Sequence, residues 1–181
     1  GEDTALYRTC SSGAFHAGRR SDRTGTTRHV VATVYVVNDG ATLVHEHEEL
    51  DMWGPPGGHV DRDELRHEAA LRECYEETGL TPELVADSGG LESETARSLP
   101  EPHQFLLEDI NVNDGEVGHQ HIDHVYYGAS ESRTVDPAGD DETPAEAWEW
   151  FTADDLESRA GELPTDVVEV GMDAIETVQN G

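Results

Sequence analysis

Between Gly58 and Leu80, two glycines bracket a segment in which Glu64, Arg72, Glu73, Glu76 and Glu77 stand at fixed offsets. Asp61 or Asp63 can cap a helix that runs to about Thr78, and Gly79 can end it. On that helix Glu73, Glu76 and Glu77 fall at i, i+3 and i+4, so they share one face. His67, Leu71, Cys74 and Thr78 fall on the opposite face, which suits packing on a sheet. Three carboxylates on one face repel each other unless a cation joins them. Hard divalent cations such as Mg²⁺ prefer oxygen ligands, with few protein carboxylates and substrate phosphate oxygens completing the shell. Just upstream, Pro55, Pro56, Gly57 and Gly58 let backbone approach closely without a side chain, and a glycine carbonyl there could join that shell. A solvated acidic face is the plain alternative. It requires neither Arg72 among the acids nor the Pro-Pro-Gly-Gly loop before the helix.

The segment resembles the Nudix box, G-x5-E-x7-R-E-U-x-E-E-x-G-U, in which U is a bulky apolar residue. Gly58, Glu64, Arg72, Glu73, Glu76, Glu77 and Gly79 meet every fixed letter, and Leu80 fills the second U. Cys74 fills the first, a small apolar substitute for the commoner Leu, Val or Ile. The resemblance implies a Mg²⁺- or Mn²⁺-dependent enzyme in which water attacks phosphorus in a nucleoside diphosphate linked to another group. It implies that Glu73 and Glu77 are metal ligands and that Glu76 is a third or water-mediated one. Gly57 would supply the backbone ligand, and Arg72 with Glu64 would orient the carboxylates. The general base varies in the family between a box glutamate, here Glu73, and an acid on a later loop. Glu131, Glu142 and Glu146 are the candidates for that loop acid.

At 181 residues the chain is long enough for one domain with a real core. Its net charge is −29, and all 11 basic residues are arginine. Such a balance resembles the proteins of salt-accumulating organisms, where molar salt screens carboxylate repulsion. It argues against nucleic acid or an anionic membrane as partner and leaves a small nucleotide-type molecule. The oligomeric state stays open, a homodimer included. Cys10 and Cys74 are too few for a disulfide framework, and Cys74 on the core face should be a free buried thiol. No apolar run nears membrane length and no signal-peptide pattern appears, so a cytoplasmic location is expected.

Residues 1–28 form an irregular, arginine-rich segment, and 29–181 form the domain. His29 to Val37 and Thr42 to His47 read as strands joined by a turn at Asn38-Asp39-Gly40. Leu84 to Ala86 is a weak strand. His103 to Leu107 and Gln120 to Ala129 flank a loop containing Asn113-Asp114-Gly115. Glu131 to Glu146 is a long acidic loop, Trp148 to Phe151 a short strand, and Thr152 caps a helical turn. The last helix starts at Leu163-Pro164-Thr165. These elements give an α/β class, and with the resemblance a Nudix-like α/β/α sandwich around a mixed β-sheet.

Outside the box, His59 is the histidine best placed to reach phosphate. His119, His121 and Asp123 share one strand face, but without a cysteine they fall short of a closed zinc site. His45 and His47 read as a solvated strand face. Trp53, Phe105, Tyr126 and Tyr127 are candidate stacking partners for a base, or else core. Known substrate markers outside the box are missing: Thr95-Ala96-Arg97 stands where some ADP-ribose hydrolases carry proline. The competing classes are a non-catalytic Nudix-like nucleotide sensor and a calcium- or zinc-binding structural domain.

Overall fold

The structure, a computed structural model, describes residues 26–47, 52–87, 89–113, 116–139 and 142–181. Strand β1 spans Thr27–Asn38 and β2 spans Ala41–His47. They are joined by Asp39 and Gly40, both at positive φ (44° and 74°), the two-residue turn that matches strand twist. Strands β3 (Met52–Gly54) and β4 (Gly57–His59) lead to helix α1 (Arg66–Thr78). Then come β5 (Glu83–Leu84), the long hairpin β6 (Gln104–Asn113) and β7 (Glu116–Ala129), β8 (Trp148–Thr152), and helices α2 (Ala153–Ser158) and α3 (Thr165–Asn180). The hairpin strands run further than the sequence reading gave them. Asp114 and Gly115 of the expected turn lie outside the described residues, as do residues 1–25 with Cys10.

The sheet is mixed: β1 runs parallel to β7 and antiparallel to β2 and β4, and β6 is antiparallel to β7. Alternation along β1 sends side chains to two cores. Ala32, Val34 and Val36 meet Ala69, Ala70 and Cys74 of α1. Tyr35 and Val37 meet Leu156, Val167, Val170 and Ile175 of α2 and α3. Helices therefore cover both faces, the expected α/β/α sandwich. Cys74 is a free buried thiol whose pKa is pushed up to about 12 by burial. Among the described residues no helix is long and apolar enough to cross a membrane.

Two expectations are corrected. Helix α1 starts at Arg66, so neither Asp61 nor Asp63 caps it; the Glu68 carboxylate accepts the Leu65 N–H instead (3.3 Å). Asp63 takes a left-handed φ of 70°, and Glu64 closes the preceding turn by accepting the Asp61 N–H at 2.9 Å. His45 is buried rather than solvated, because the Trp148 ring, 4.2 Å away, covers it. The His47 side chain lies outside the described ones.

Candidate active site

The site begins with a split in the sheet. The end of β1 pairs with β2 at Val37 and Asn38, while its first half pairs with β4 through Val31, Ala32 and Thr33. The chain crosses the gap at Pro55-Pro56, tied by the Val34 N–H to the Pro56 carbonyl (3.0 Å). Glycine is required on the far side. A Cβ on Gly57 would lie 2.6 Å from the Ala32 carbonyl oxygen, and one on Gly58 would lie 2.5 Å from the Glu73 carboxyl carbon.

Arg72 organises the acids. Its Nε and Nη2 donate to the two oxygens of Glu64 (2.8 and 3.1 Å), and Nη1 donates to Glu73 (2.9 Å) and Glu76 (3.0 Å). Nη2 also reaches the His59 carbonyl at 3.1 Å, pinning the β4 end to the helix. The Arg72 hydrogen bond holds the Glu64 carboxyl below its usual range. Burial pushes Glu73 up against the opposing pull of Arg72. Among the described residues Glu77 has no such cation. It accepts the Gly57 N–H at 2.9 Å, and burial, with help from Glu73, Glu142 and Glu76, raises its pKa to about 8. A carboxylate so poised is under-compensated, and a cation beside it would restore the ionised form.

The acidic loop closes over this face. The Ala138 and Gly139 N–H groups donate to the Glu76 carbonyl (2.9 and 3.0 Å) and the Asp136 N–H to the Thr78 carbonyl (2.9 Å). This brings Glu142 near enough to raise the pKa of both Glu73 and Glu77. Glu131 and Glu146 are exposed and enter neither shift. Among the described residues no group of three or more His, Cys, Asp or Glu side chains is gathered so as to hold a metal ion by itself. An open carboxylate face suits Mg²⁺, which keeps water and phosphate oxygens in its shell.

From Glu77, Gly57 and Gly58 a cleft of about 360 Å³ runs inward on the α3 side of the sheet. It is lined by Trp53, His59 and His121, by the apolar Val31, Leu106, Ile110, Val125, Val167 and Val170, and by Thr33, Glu108, Asp123 and Asp166.

A sequence profile of the NUDIX domain matches residues 27–169. The chain belongs to the NUDIX family. It is similar to the asymmetrical bis(5'-nucleosyl)-tetraphosphatase of Rattus norvegicus, 31% identical over 93 residues, which cover 50% of this chain and 63% of that protein. The chain thus spans less than two thirds of that relative's length. The fold is similar to a NUDIX-family hydrolase from Clostridium perfringens, with a TM-score of 0.72 and 26% identity over 84% of this chain and 99% of that one. A MutT NUDIX hydrolase from Burkholderia pseudomallei shares the fold at a TM-score of 0.53 and 23% identity, over 84% of this chain and 98% of that one.

Within this NUDIX domain the sequence-predicted residues divide. Gly57, Glu64, Arg72, Glu73, Glu76, Glu77 and Glu142 come together, and His59 and Trp53 line the adjoining cleft. Trp53 is braced by Phe151 (ring centroids 5.6 Å) and by Arg159 over its ring (5.0 Å). Phe105 is not brought in. It is 67% exposed, because Leu106, Glu108 and Ile110 take the cleft face of β6. Tyr127 is core, its hydroxyl donating to Asp173 (2.6 Å) and its ring stacked on His103 (4.0 Å). Tyr126 is buried on the α1 side.

Sequence reasoning missed His29, Thr33 and Glu108. His29, His59, His121 and His119 form a ring of contacts, with neighbouring centroids 4.6–5.5 Å apart. Burial, then the neighbouring histidines, lowers the His121 pKa to about 4. Glu108 had a signal: an acid between Leu106 and Ile110 on the apolar side of an alternating strand.

Proposed function

We propose that this NUDIX domain hydrolyses a diphosphate linkage in a nucleoside diphosphate joined to another group, using Mg²⁺ or Mn²⁺. The observation that carries the reading is the Arg72 fork. One guanidinium holds Glu64, Glu73 and Glu76 while Glu77, half-buried, accepts the Gly57 N–H at the mouth of the cleft. Glu73, Glu76, Glu77 and the Gly57 carbonyl would hold the cation, which supplies neutralisation of phosphate charge and activation of water.

The chain's own residues do the rest. Arg72 fixes the carboxylates in one arrangement, so that no reorganisation is needed as charge develops. Gly57 lets β4 close against β1, and Gly58 leaves room for the Glu73 carboxylate. Glu142, the loop acid coupled to Glu73 and Glu77, is assigned as the base that takes the proton of the attacking water. Trp53 and the cleft receive the organic part of the substrate.

The test is a panel of nucleotides, dinucleoside polyphosphates and nucleotide-sugars, incubated with Mg²⁺ or Mn²⁺ in molar KCl. Products are scored by mass, with labelled water to identify the phosphorus attacked. Metal-dependent cleavage at a diphosphate linkage supports the reading. Ligand binding without any product would favour a nucleotide sensor instead.

A further inference from the structure

Beyond the box glutamates the cleft carries a second set of carboxylates set among apolar walls. Asp123 of β7 is only 2% exposed, and its Oδ2 accepts the Thr33 hydroxyl at 2.9 Å. Its Oδ1 is buried and makes no well-formed hydrogen bond among the described residues, although the backbone N–H groups of His124 and Thr33 lie near enough to pull the carboxyl pKa down against its burial. Leaving a buried acceptor unmade costs more than a made hydrogen bond returns, so such an atom points to a donor supplied from outside the chain. Glu108, half-buried, and Asp166, exposed at the start of α3, line the same cavity, and among the described residues no Lys or Arg does.

The walls are apolar on both sides. Val31, Val125, Leu106 and Ile110 come from the sheet and Val167 and Val170 from α3, with the Trp53 ring among the lining residues. A ligand that fits is flat and apolar on its faces, with N–H donors on its edge. A cation held by Glu73, Glu76 and Glu77 would draw the phosphates to the box end, while Asp123 and Glu108, with no such cation, would repel them. The volume of about 360 Å³ is within the range of small-molecule pockets.

We propose that this part of the cleft is a nucleobase pocket selecting a purine that carries an exocyclic amino group, with Asp123 as the principal acceptor. The direction assigned to the ligand rests on the phosphate-hydrolase reading of the outer end. An amino group donates to Asp123 Oδ1 and fills the vacancy that Thr33 leaves. Glu108 receives a second donor where the base offers one. Hypoxanthine keeps the purine shape but lacks the amino group, so Asp123 Oδ1 stays unpaired when inosine binds. Adenine and guanine differ in where the amino group sits, and the two nucleosides serve as separate arms of the test.

The experiment measures binding of free nucleosides to the full chain in molar KCl, by calorimetry or by the tryptophan fluorescence that Trp53 contributes. Guanosine, adenosine, inosine and uridine are compared. At least one aminopurine nucleoside should bind about tenfold more tightly than inosine, the worth of one well-made buried hydrogen bond. Asp123→Leu, close in size but with no acceptor, should shrink that preference to within about threefold, while Glu157→Gln, exposed on α2, should keep it. Equal binding of inosine and both aminopurine nucleosides overturns the proposal. So does an undiminished preference in a folded Asp123→Leu protein, or no nucleoside binding at all. If circular dichroism shows that Asp123→Leu does not fold, Glu108→Met takes its place: a reduced preference supports the pocket and an unchanged one overturns it. No hydrolysis is needed for these readings, so failure of the catalytic proposal would appear separately, as absent turnover.

Discussion

Arg72 grips Glu64 with two parallel hydrogen bonds, Nε to Oε1 at 2.8 Å and Nη2 to Oε2 at 3.1 Å. Glu64 lies before the helix that carries Arg72, so the pair ties the loop to the carboxylate face. Only a planar fork can do this and still hold Glu73 and Glu76. Arg72→Lys should therefore fold but lose about 10²-fold in turnover, the scale of a lost electrostatic stabiliser. Steady-state kinetics beside a melting curve checks it. Turnover within about threefold of wild type would mean the fork is dispensable.

The glycines make a second test, because they act for different reasons. A methyl on Gly58 meets the Glu73 carboxylate, so Gly58→Ala should damage activity while sparing most stability. Gly79 ends α1 at φ 71°, and a Cβ there meets the Asp136 carbonyl oxygen. Gly79→Ala should cost about 1–3 kcal/mol of stability through strain alone, more if the acidic loop is displaced. Urea melts of both variants would distinguish the two roles. Equal stability loss in both would contradict the assignment.

Proton linkage should be visible at Glu77. Its folded pKa of about 8 lies above the ordinary 4.5, so the metal-free native state binds more protons than the unfolded chain between those values. The contribution to stability is therefore full below about pH 4.5 and is lost as pH rises through about 8. Glu108, raised to about 7, and Asp123, raised to about 6, act with the same sign. A divalent cation needs the ionised form, so Mg²⁺ affinity should climb between about pH 6 and 8, with proton release on binding. Calorimetry in buffers of different ionisation enthalpy reads this directly. Affinity that stays flat over that range would show that Glu77 is not a ligand.

How much was legible in the chain follows from the range of the interactions. The Arg72 fork and the Asp39-Gly40 turn are local, with every partner within a short stretch, so offsets alone carry them. The two-sided sandwich was legible because alternation along His29 to Val37 needs two cores. The histidine ring was not, since His29, His59 and the pair at His119 and His121 meet only when β1 is flanked by β4 and β7. Asp123 was seen to share a face with His121, but its burial depends on Thr33, brought there by the β1–β7 pairing. His45 reads as solvated in the sequence because the Trp148 ring that covers it comes from β8, far along the chain, and is brought there only by the β2–β8 pairing.

Charge gives a test of the surface as a whole. With 40 acids against 11 bases, the native state should repel itself in dilute buffer and recover as KCl screens it. The melting temperature should rise from about 0.1 M to about 2 M KCl. Mg²⁺ should shift that curve to lower salt, because a ligand of the native state alone stabilises it. A melting temperature independent of KCl would contradict the salt-adapted reading.

The central claim is that the Glu73, Glu76 and Glu77 face drives diphosphate hydrolysis, and Glu77→Gln tests it most directly. The substitution keeps an acceptor for the Gly57 N–H, so the fold should survive. It removes the one box carboxylate that Arg72 does not touch. Metal-dependent turnover on the best substrate of the panel should fall by about 10²–10³. Turnover within about threefold of the wild-type protein would contradict the account.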